Sequence, residues 1–249
     1  MSPLGRAAGV VGPPIALFAV VVLLWELLCV ALELPPYLVP SPIAVARAGI
    51  EHADTIAWST LLTAAGALAG LGASLVLGSL VALAFANSRW IARAFYPYAI
   101  FLQTVPVVAI APLIVIWFGT GFASVALVAL IVSLFPVISA ATTGLTRVDP
   151  QLLDLFTFYG ASRWQIMLKL RLPGSIPHVV SGARIASGLA VIGAIVGEFF
   201  AGYGADEYGL GYLIIVTSGQ LRTDYLFAAI LASTLLGLAT FGAVSLIGG

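Results

Sequence analysis

Asp149-Pro150-Gln151-Leu152-Leu153-Asp154-Leu155-Phe156-Thr157-Phe158-Tyr159-Gly160-Ala161-Ser162-Arg163-Trp164 runs on through Lys169 to Leu170-Arg171-Leu172-Pro173. This polar, basic stretch lies between two apolar windows at about 121–143 and 178–201, each long enough to cross a bilayer. It reads as the place where the chain leaves one membrane span, turns in water and enters the next. Its local signals predict two short helices with a sharp turn between them. Asp149 caps the first, with Pro150 in the first turn, where a missing N–H costs nothing. Gly160 ends that helix in a left-handed conformation. Ser162 and Gln165 form a capping box that opens the second helix, and Pro173 closes it.

Composition sets the solvent. Hydrophobic residues make up 61% of the 249 residues and charged residues 8%, against roughly a quarter charged in soluble domains. A soluble fold of this length has too little interior to hide that much apolar surface. The chain is therefore all-α integral membrane protein, because only helices or closed barrels satisfy backbone polar groups in lipid and nothing here alternates like barrel strands. Apolar windows predict six spans at about 14–33, 60–86, 94–118, 121–143, 178–201 and 225–247, in a single transmembrane domain over 1–249. The first window could pass for a secretion signal, with Cys29-Val30-Ala31 as a cleavage site, but its length and the Trp25-Glu26 pair favour an uncleaved anchor. Ser41-Pro42 opens a further short helix between the first two spans, suited either to the outer interface or to a solvated connection.

Basic residues orient the spans. With the N-terminus in the cytoplasm, Arg6, Arg89, Arg93, Arg147, Arg163, Lys169, Arg171 and Arg184 fall inside and only Arg47 and Arg222 outside. This places the loop 147–173 in the cytoplasm. Acidic residues, Asp206 among them, lean outward. The formal net charge of zero argues against a nucleic-acid role. The single Cys29 permits no internal disulfide, and His52 and His178 are too isolated for a metal site. An enzyme reading finds no support. The one lysine, Lys169, lacks the glycines of a phosphate-binding loop, and no His-Glu-x-x-His or Gly-x-Ser-x-Gly occurs. The expectation is a non-catalytic chain without cofactor or metal; if ATP drives it, another chain binds the nucleotide.

Gly160, Leu170, Leu172 and Pro173 reproduce a glycine, nine residues and an aliphatic-x-Leu-Pro, which resembles the EAA loop of bacterial ABC importer permeases. Asp154-Leu155-Phe156 stands where Glu-Ala-Ala is expected, keeping the acid but replacing the small pair with bulk. Leu38-Val39-Pro40-Ser41-Pro42, the stretch 106–119, Val148-Asp149-Pro150, Gly197-Glu198-Phe199 and Gly209-Leu210-Gly211-Tyr212-Leu213-Ile214 extend the likeness over nearly the whole chain. The branch they resemble is the nitrate/sulfonate/taurine type, which includes permeases for thiamine precursors and related heterocycles. The resemblance implies a type I importer permease fold in a bacterial inner membrane, with a coupling helix seated in a cleft of the ATPase subunit. It also implies two cytoplasmic ABC ATPase subunits that hold ATP and magnesium, and an extracytoplasmic substrate-binding protein. Its substrate would be a small polar solute: a sulfonate, taurine or nitrate-like anion, or a pyrimidine or riboflavin-like compound.

Residue chemistry fits that loop to a partner. Leu155, Phe156, Phe158 and Tyr159 present too much apolar surface to sit in water, so they suit a groove, with Arg163, Lys169 and Arg171 at its rim. The competing reading folds the loop back onto its own membrane helices. By resemblance the contact centres on Asp154, Tyr159, Gly160, Ala161 and Ser162, and Phe158, Arg163 and Trp164 complete the candidate ATPase-coupling set. Six helices alone make a poor pore wall, so a homodimer with the path along its two-fold axis is expected.

For the path itself, Gln103, Thr104 and Pro106 lead, because prolines in a membrane helix free carbonyls that lipid cannot satisfy. Ser133, Ser187 and Glu198 stand behind them. Glu198, flanked by Gly193, Gly197 and Gly202, reads either as a residue of the seam or path, or as a helix-end carboxylate reaching the outer interface. Glu26 reads as a packed structural residue. The alternative class is a proton-coupled secondary transporter using Glu26 and Glu198; the lack of an inverted repeat counts against it.

Overall fold

The computed structural model of the chain describes residues 3–202 and 207–248, so Asp206 lies outside the described residues. Every regular element among the described residues is helical: α1 (Pro3–Ala31), α2 (Pro42–Glu51), α3 (Ala53–Asn87), α4 (Arg89–Thr104), α5 (Val107–Phe118), α6 (Phe122–Thr146), α7 (Pro150–Phe158), α8 (Arg163–Ile166), α9 (Leu172–Ala201), α10 (Leu210–Gly219) and α11 (Thr223–Ile247). Five continuous apolar segments are long enough to cross a membrane: 12–31, 53–87, 122–146, 163–201 and 223–247. A sixth apolar segment is broken, for α4 and α5 are bent by 97°.

The break falls within the window 94–118, at the proline the sequence marks for a bend. Val105 is extended, with φ −72° and ψ 125°, because the ring of Pro106 disfavours the helical region for the residue before it. Pro106 then caps α5 instead of continuing α4. One expectation is corrected, that of Pro173. It does not close a helix: α8 passes through a π-helical stretch, Met167–Arg171, straight into α9. The Leu172 N–H reaches the Met167 carbonyl, and this wider turn accommodates a proline that has no N–H to offer. At 1.5 Å per residue the run 163–201 is about 58 Å long, well beyond the thickness of a hydrocarbon core.

Contacts divide the chain into two compact units, Met1–Ala57 with Leu213–Leu231, and Trp58–Tyr212 with Ala232–Gly249. In the first, Ser41 caps α2 by accepting from Ala44 N at 3.3 Å, with Pro42 in its first turn. The buried Cys29 thiol lies 3.9 Å from the Pro40 carbonyl. Trp25 meets Phe227 with ring centroids 5.7 Å apart. His52 stacks on Tyr225 at 4.1 Å, and Arg222 Nη2 lies 2.7 Å from His52 Nε2. Thr223 donates to the Tyr37 carbonyl at 2.6 Å.

In the second unit α6 is the central helix. α3 lies along one side of it, parallel, with Gly66 against Val125, Gly70 against Ala129 and Gly78 against Val137. These positions step by four residues or multiples of four on both helices, and the buried Ser74 and Ser133 fall on the same ridges. α9 runs antiparallel on α6, pairing Gly182 with Ala140, Gly193 with Ala129 and Gly197 with Val125. Lipid tails give helices no hydrophobic reason to associate, so contact depends on close approach through such small residues. α5 covers the pair through Ala111 and Ile114 against Val128. At the α7 end, Ala82, Ala141, Leu145 and Met167 close the packing.

A Cβ on Gly70 would stand 2.7 Å from the Ala126 carbonyl oxygen and 2.8 Å from Leu130 N, whereas one on Gly72 meets nothing within 4 Å. Gly70→Leu is expected to destabilise the chain by at least about 1–3 kcal/mol, the usual cost of overpacking. Gly72→Leu should be nearly silent. Thermal unfolding in mild detergent checks the pair, and equal effects would contradict the seam.

Candidate functional site

The loop between α6 and α9 is built by its own caps. Asp149 Oδ1 accepts from Gln151 N at 2.9 Å, and Pro150 occupies the first helical position. At the other end of α7, Gly160 takes φ +70°. Ala161 N then reaches the Phe156 carbonyl at 2.9 Å and Gly160 N the Thr157 carbonyl at 3.0 Å, the paired bonds of a left-handed helix stop. Ser162 opens α8 with a reciprocal box: its hydroxyl accepts from Gln165 N at 3.3 Å and Gln165 Oε1 accepts from Ser162 N at 2.8 Å. The turn is therefore held by bonds between residues close in sequence.

This rigid corner carries its aromatics outward. Phe158 is 86% exposed and Tyr159 79%, set edge to face with centroids 5.8 Å apart. Asp154, Ser162, Arg163 and Trp164 are exposed as well, and Ala161 is half-buried. Beside the turn, Leu155, Phe156, Tyr159, Ala161, Gln165 and Lys169 line a cavity of about 300 Å³. Seven of the eight loop candidates are thus exposed and one, Ala161, is half-buried.

The six candidates for the path are dispersed. Gln103, Thr104 and Pro106 sit exposed at the α4–α5 break, where Thr104 Oγ1 donates to the Phe101 carbonyl at 2.8 Å. Ser133 and Ser187 are buried and turn their hydroxyls onto their own helices, to the Ala129 and Arg184 carbonyls, each at 2.7 Å. Neither serine faces an open passage within this chain, because the small-residue packing that lets the helices approach also encloses its hydroxyl.

Glu198 is 4% exposed within this chain and sits where α9 meets α3 and the start of α10. Its Oε2 accepts from Gly211 N at 2.7 Å and from Thr63 Oγ1 at 3.0 Å. Leu210 N donates to the same Thr63 hydroxyl at 2.8 Å. Two free N–H groups in the first turn of α10 thereby gain side-chain partners from α9 and α3, and the carboxylate lies where the helix dipole favours negative charge. Ser59, one turn before Thr63, donates to the Tyr208 carbonyl at 3.0 Å and ties down the approach to α10. The close approach requires glycine at 209, where a Cβ would collide with the Glu198 carboxyl group. Glu198 also borders a cavity of about 200 Å³ with Leu62, Phe122, Val125 and Tyr208.

Thr63, Ser59 and Gly209 were not legible as site residues, since a threonine 135 positions from Glu198 carries no local sign of the partnership. The Gly-Leu-Gly run at 209–211 was the available hint, because paired glycines mark a close approach. Removing the carboxylate in Glu198→Ala leaves Gly211 N–H buried without a partner, which costs about 1–3 kcal/mol. Glu198→Gln keeps an acceptor there and is expected to lose clearly less in thermal unfolding. Equal losses would contradict the capping role.

A family model described as "Binding-protein-dependent transport system inner membrane component" matches residues 74–248. A probable ABC transporter permease protein of Haemophilus influenzae is 36% identical, across 88% of this chain and 87% of the relative. A formylaminopyrimidine transport permease protein of Halalkalibacterium halodurans is 35% identical, across 93% and 91%. A riboflavin transport system permease protein of Chloroflexus aurantiacus is 32% identical, across 92% and 85%. Among solved structures, an inward-facing form of the MetNI methionine ABC transporter aligns with a TM-score of 0.55 at 17% identity, covering 78% of this chain and 95% of that one. That last likeness is one of fold.

Proposed function

The chain belongs to the family of binding-protein-dependent transport system inner membrane components, and on that premise we propose that two copies form the translocation path of an ATP-driven importer. It is an ABC importer permease subunit. The proposal adds a homodimer with its path on the two-fold axis, two ATPase subunits on the cytoplasmic side, an outer binding protein and an N-terminus in the cytoplasm. ATP hydrolysis then belongs to the partners, and the chain holds neither cofactor nor metal. For substrate we propose a small polar solute. Two relatives matched over most of their length are named for a pyrimidine and a flavin, which favours a heterocycle over a sulfonate, taurine or nitrate.

One observation carries the reading: the Asp154–Trp164 corner is rigid, aromatic and exposed. Large aromatics left in water without a partner mark an interaction site, and an ordered helix end suits insertion into a groove. From Arg163 the chain continues as one uninterrupted helical run to Ala201, which carries Glu198 near its far end. A partner that moves α7 therefore moves the beginning of a lever that reaches the opposite side of the bundle. ATP-driven closure of the ATPases would draw the paired loops together and favour an outward-open state, and hydrolysis would restore the inward one, a population shift powered by differential binding. Family membership supports this over a proton-coupled carrier built on Glu26 and Glu198.

The test is affinity purification of the chain from its own membranes in mild detergent. Gly160→Trp puts bulk at the contact and strains a left-handed position, while Gly160→Asn tolerates that conformation. An ATPase that co-purifies with the wild type and the Asn variant but is lost with Trp supports the coupling surface. Recovery of the ATPase with the Trp variant at wild-type yield would contradict it.

A further inference from the structure

A second surface at the α7 end shares only Arg163 with the aromatic corner. A cavity of about 370 Å³ is lined by three arginines, Arg89, Arg163 and Arg171, with Asn87, Leu153 and Met167. No acidic residue is among its walls. Among the described residues no carboxylate lies within ion-pair distance of any of the three. Arg171 donates only a long bond, 3.4 Å, from Nη1 to the Ala86 carbonyl, and its Nε is buried without a partner. Guanidinium groups stay charged, so three of them on one cavity repel each other, and a half-buried one pays desolvation without return. An anion inside the cavity would face all three guanidinium groups at once. A tetrahedral phosphate offers several acceptor oxygens to planar guanidiniums and matches their fork geometry.

The neighbouring cavities say what else the ligand carries. One of about 350 Å³ shares Asn87, Arg163 and Met167 with the first and continues over Leu83, Ala84 and Trp164. Another of about 220 Å³ starts at Leu83 and follows Leu145, Val179 and Val180 along the helices. Shared walls thus place a mostly apolar cavity, and beyond Leu83 another, beside the charged one. Trp90, which follows Arg89 directly and is 81% exposed, suits the headgroup level. A free phosphate would use the arginines and leave the apolar cavities empty.

We propose that this cavity binds the phosphate of an anionic phospholipid, with an acyl chain lying on Leu83 and the apolar cavity beyond it. Basic pockets between membrane helices on the cytoplasmic side take anionic headgroups in this way. Assigning the lipid to the cytoplasmic leaflet rests on the orientation proposed above; the binding itself does not. Because Arg163 belongs both to this cavity and to the aromatic corner, a bound lipid would brace the start of the lever that the ATPase moves.

The probe is phosphatidylglycerol against phosphatidylcholine, offered to the full chain alone in neutral detergent and counted on the protein by native mass spectrometry. The wild type is expected to retain phosphatidylglycerol preferentially. Arg89→Gln, Arg163→Gln and Arg171→Gln should each lower that preference by about fivefold. Arg47→Gln, an exposed arginine on α2, should leave it unchanged. Arg89→Gln serves as the readout least exposed to folding defects, because its side chain is exposed. Equal retention of the two lipids by the wild type, or a preference untouched by all three cavity variants, would overturn the proposal. Arginine-dependent thermal stabilisation by inorganic phosphate without a phospholipid preference would assign the cavity to a free phosphate and overturn the lipid. None of these readings uses ATPase or transport, so failure here leaves the importer reading standing.

Discussion

Close approach of helices through small side chains is the constraint on which the larger compact unit depends. In hydrocarbon, a leucine gains nothing by leaving lipid for another leucine, so association must come from contact and from hydrogen bonds. The ridges of Gly66, Gly70 and Gly78 on α3 and Gly182, Gly193 and Gly197 on α9 bring both helices down onto α6. Ser74, Ser133 and Ser187 sit in the same seams because their hydroxyls close onto carbonyls of their own helices and leave no polar group unpaired. Two polar contacts then become possible at opposite ends of the bundle. Thr63 meets Glu198 at one, and Arg171 meets the Ala86 carbonyl at the other.

The Glu198 corner shows how a carboxylate is tolerated in such a place. It is expensive in lipid, but here it receives two donors and stands at a helix N-terminus. What it holds is the start of α10, a helix of ten residues. Too short to cross a bilayer by itself, that helix needs its free N–H groups satisfied by something. The carboxylate and the Thr63 hydroxyl do this together, and glycine at 209 is the steric condition for it. The arrangement makes Glu198 a joint within one chain and, through the cavity it borders, a neighbour of open space.

Local chemistry was legible and long-range chemistry was not. Asp149, Pro150, Gly160, Ser162 and Gln165 announce their helix ends because each cap is completed within a few residues. Apolar windows announce the spans because bilayer thickness sets their length. Pro173 misled, since a proline after a short helix normally stops it, and nothing local reveals that a π-turn will carry the helix past. Val105-Pro106 understated its effect: the pair signals a bend, but whether a helix kinks or breaks by 97° depends on what packs on either side. Ser133 and Ser187 were legible as polar residues in apolar spans and not as seam residues, because burial is a property of neighbours distant in sequence. The three arginines of the charged cavity come from α4, α8 and the π-turn, and their convergence is a product of the fold.

The central claim is that this chain is a passage powered from outside itself. Proteoliposomes containing the chain with the proposed ATPase and binding protein, supplied with the ligand that binding protein carries, test it most directly. The account predicts uptake that requires ATP on the ATPase side and is indifferent to an imposed proton gradient. Uptake by the chain alone that follows a proton gradient and persists without ATP would contradict it.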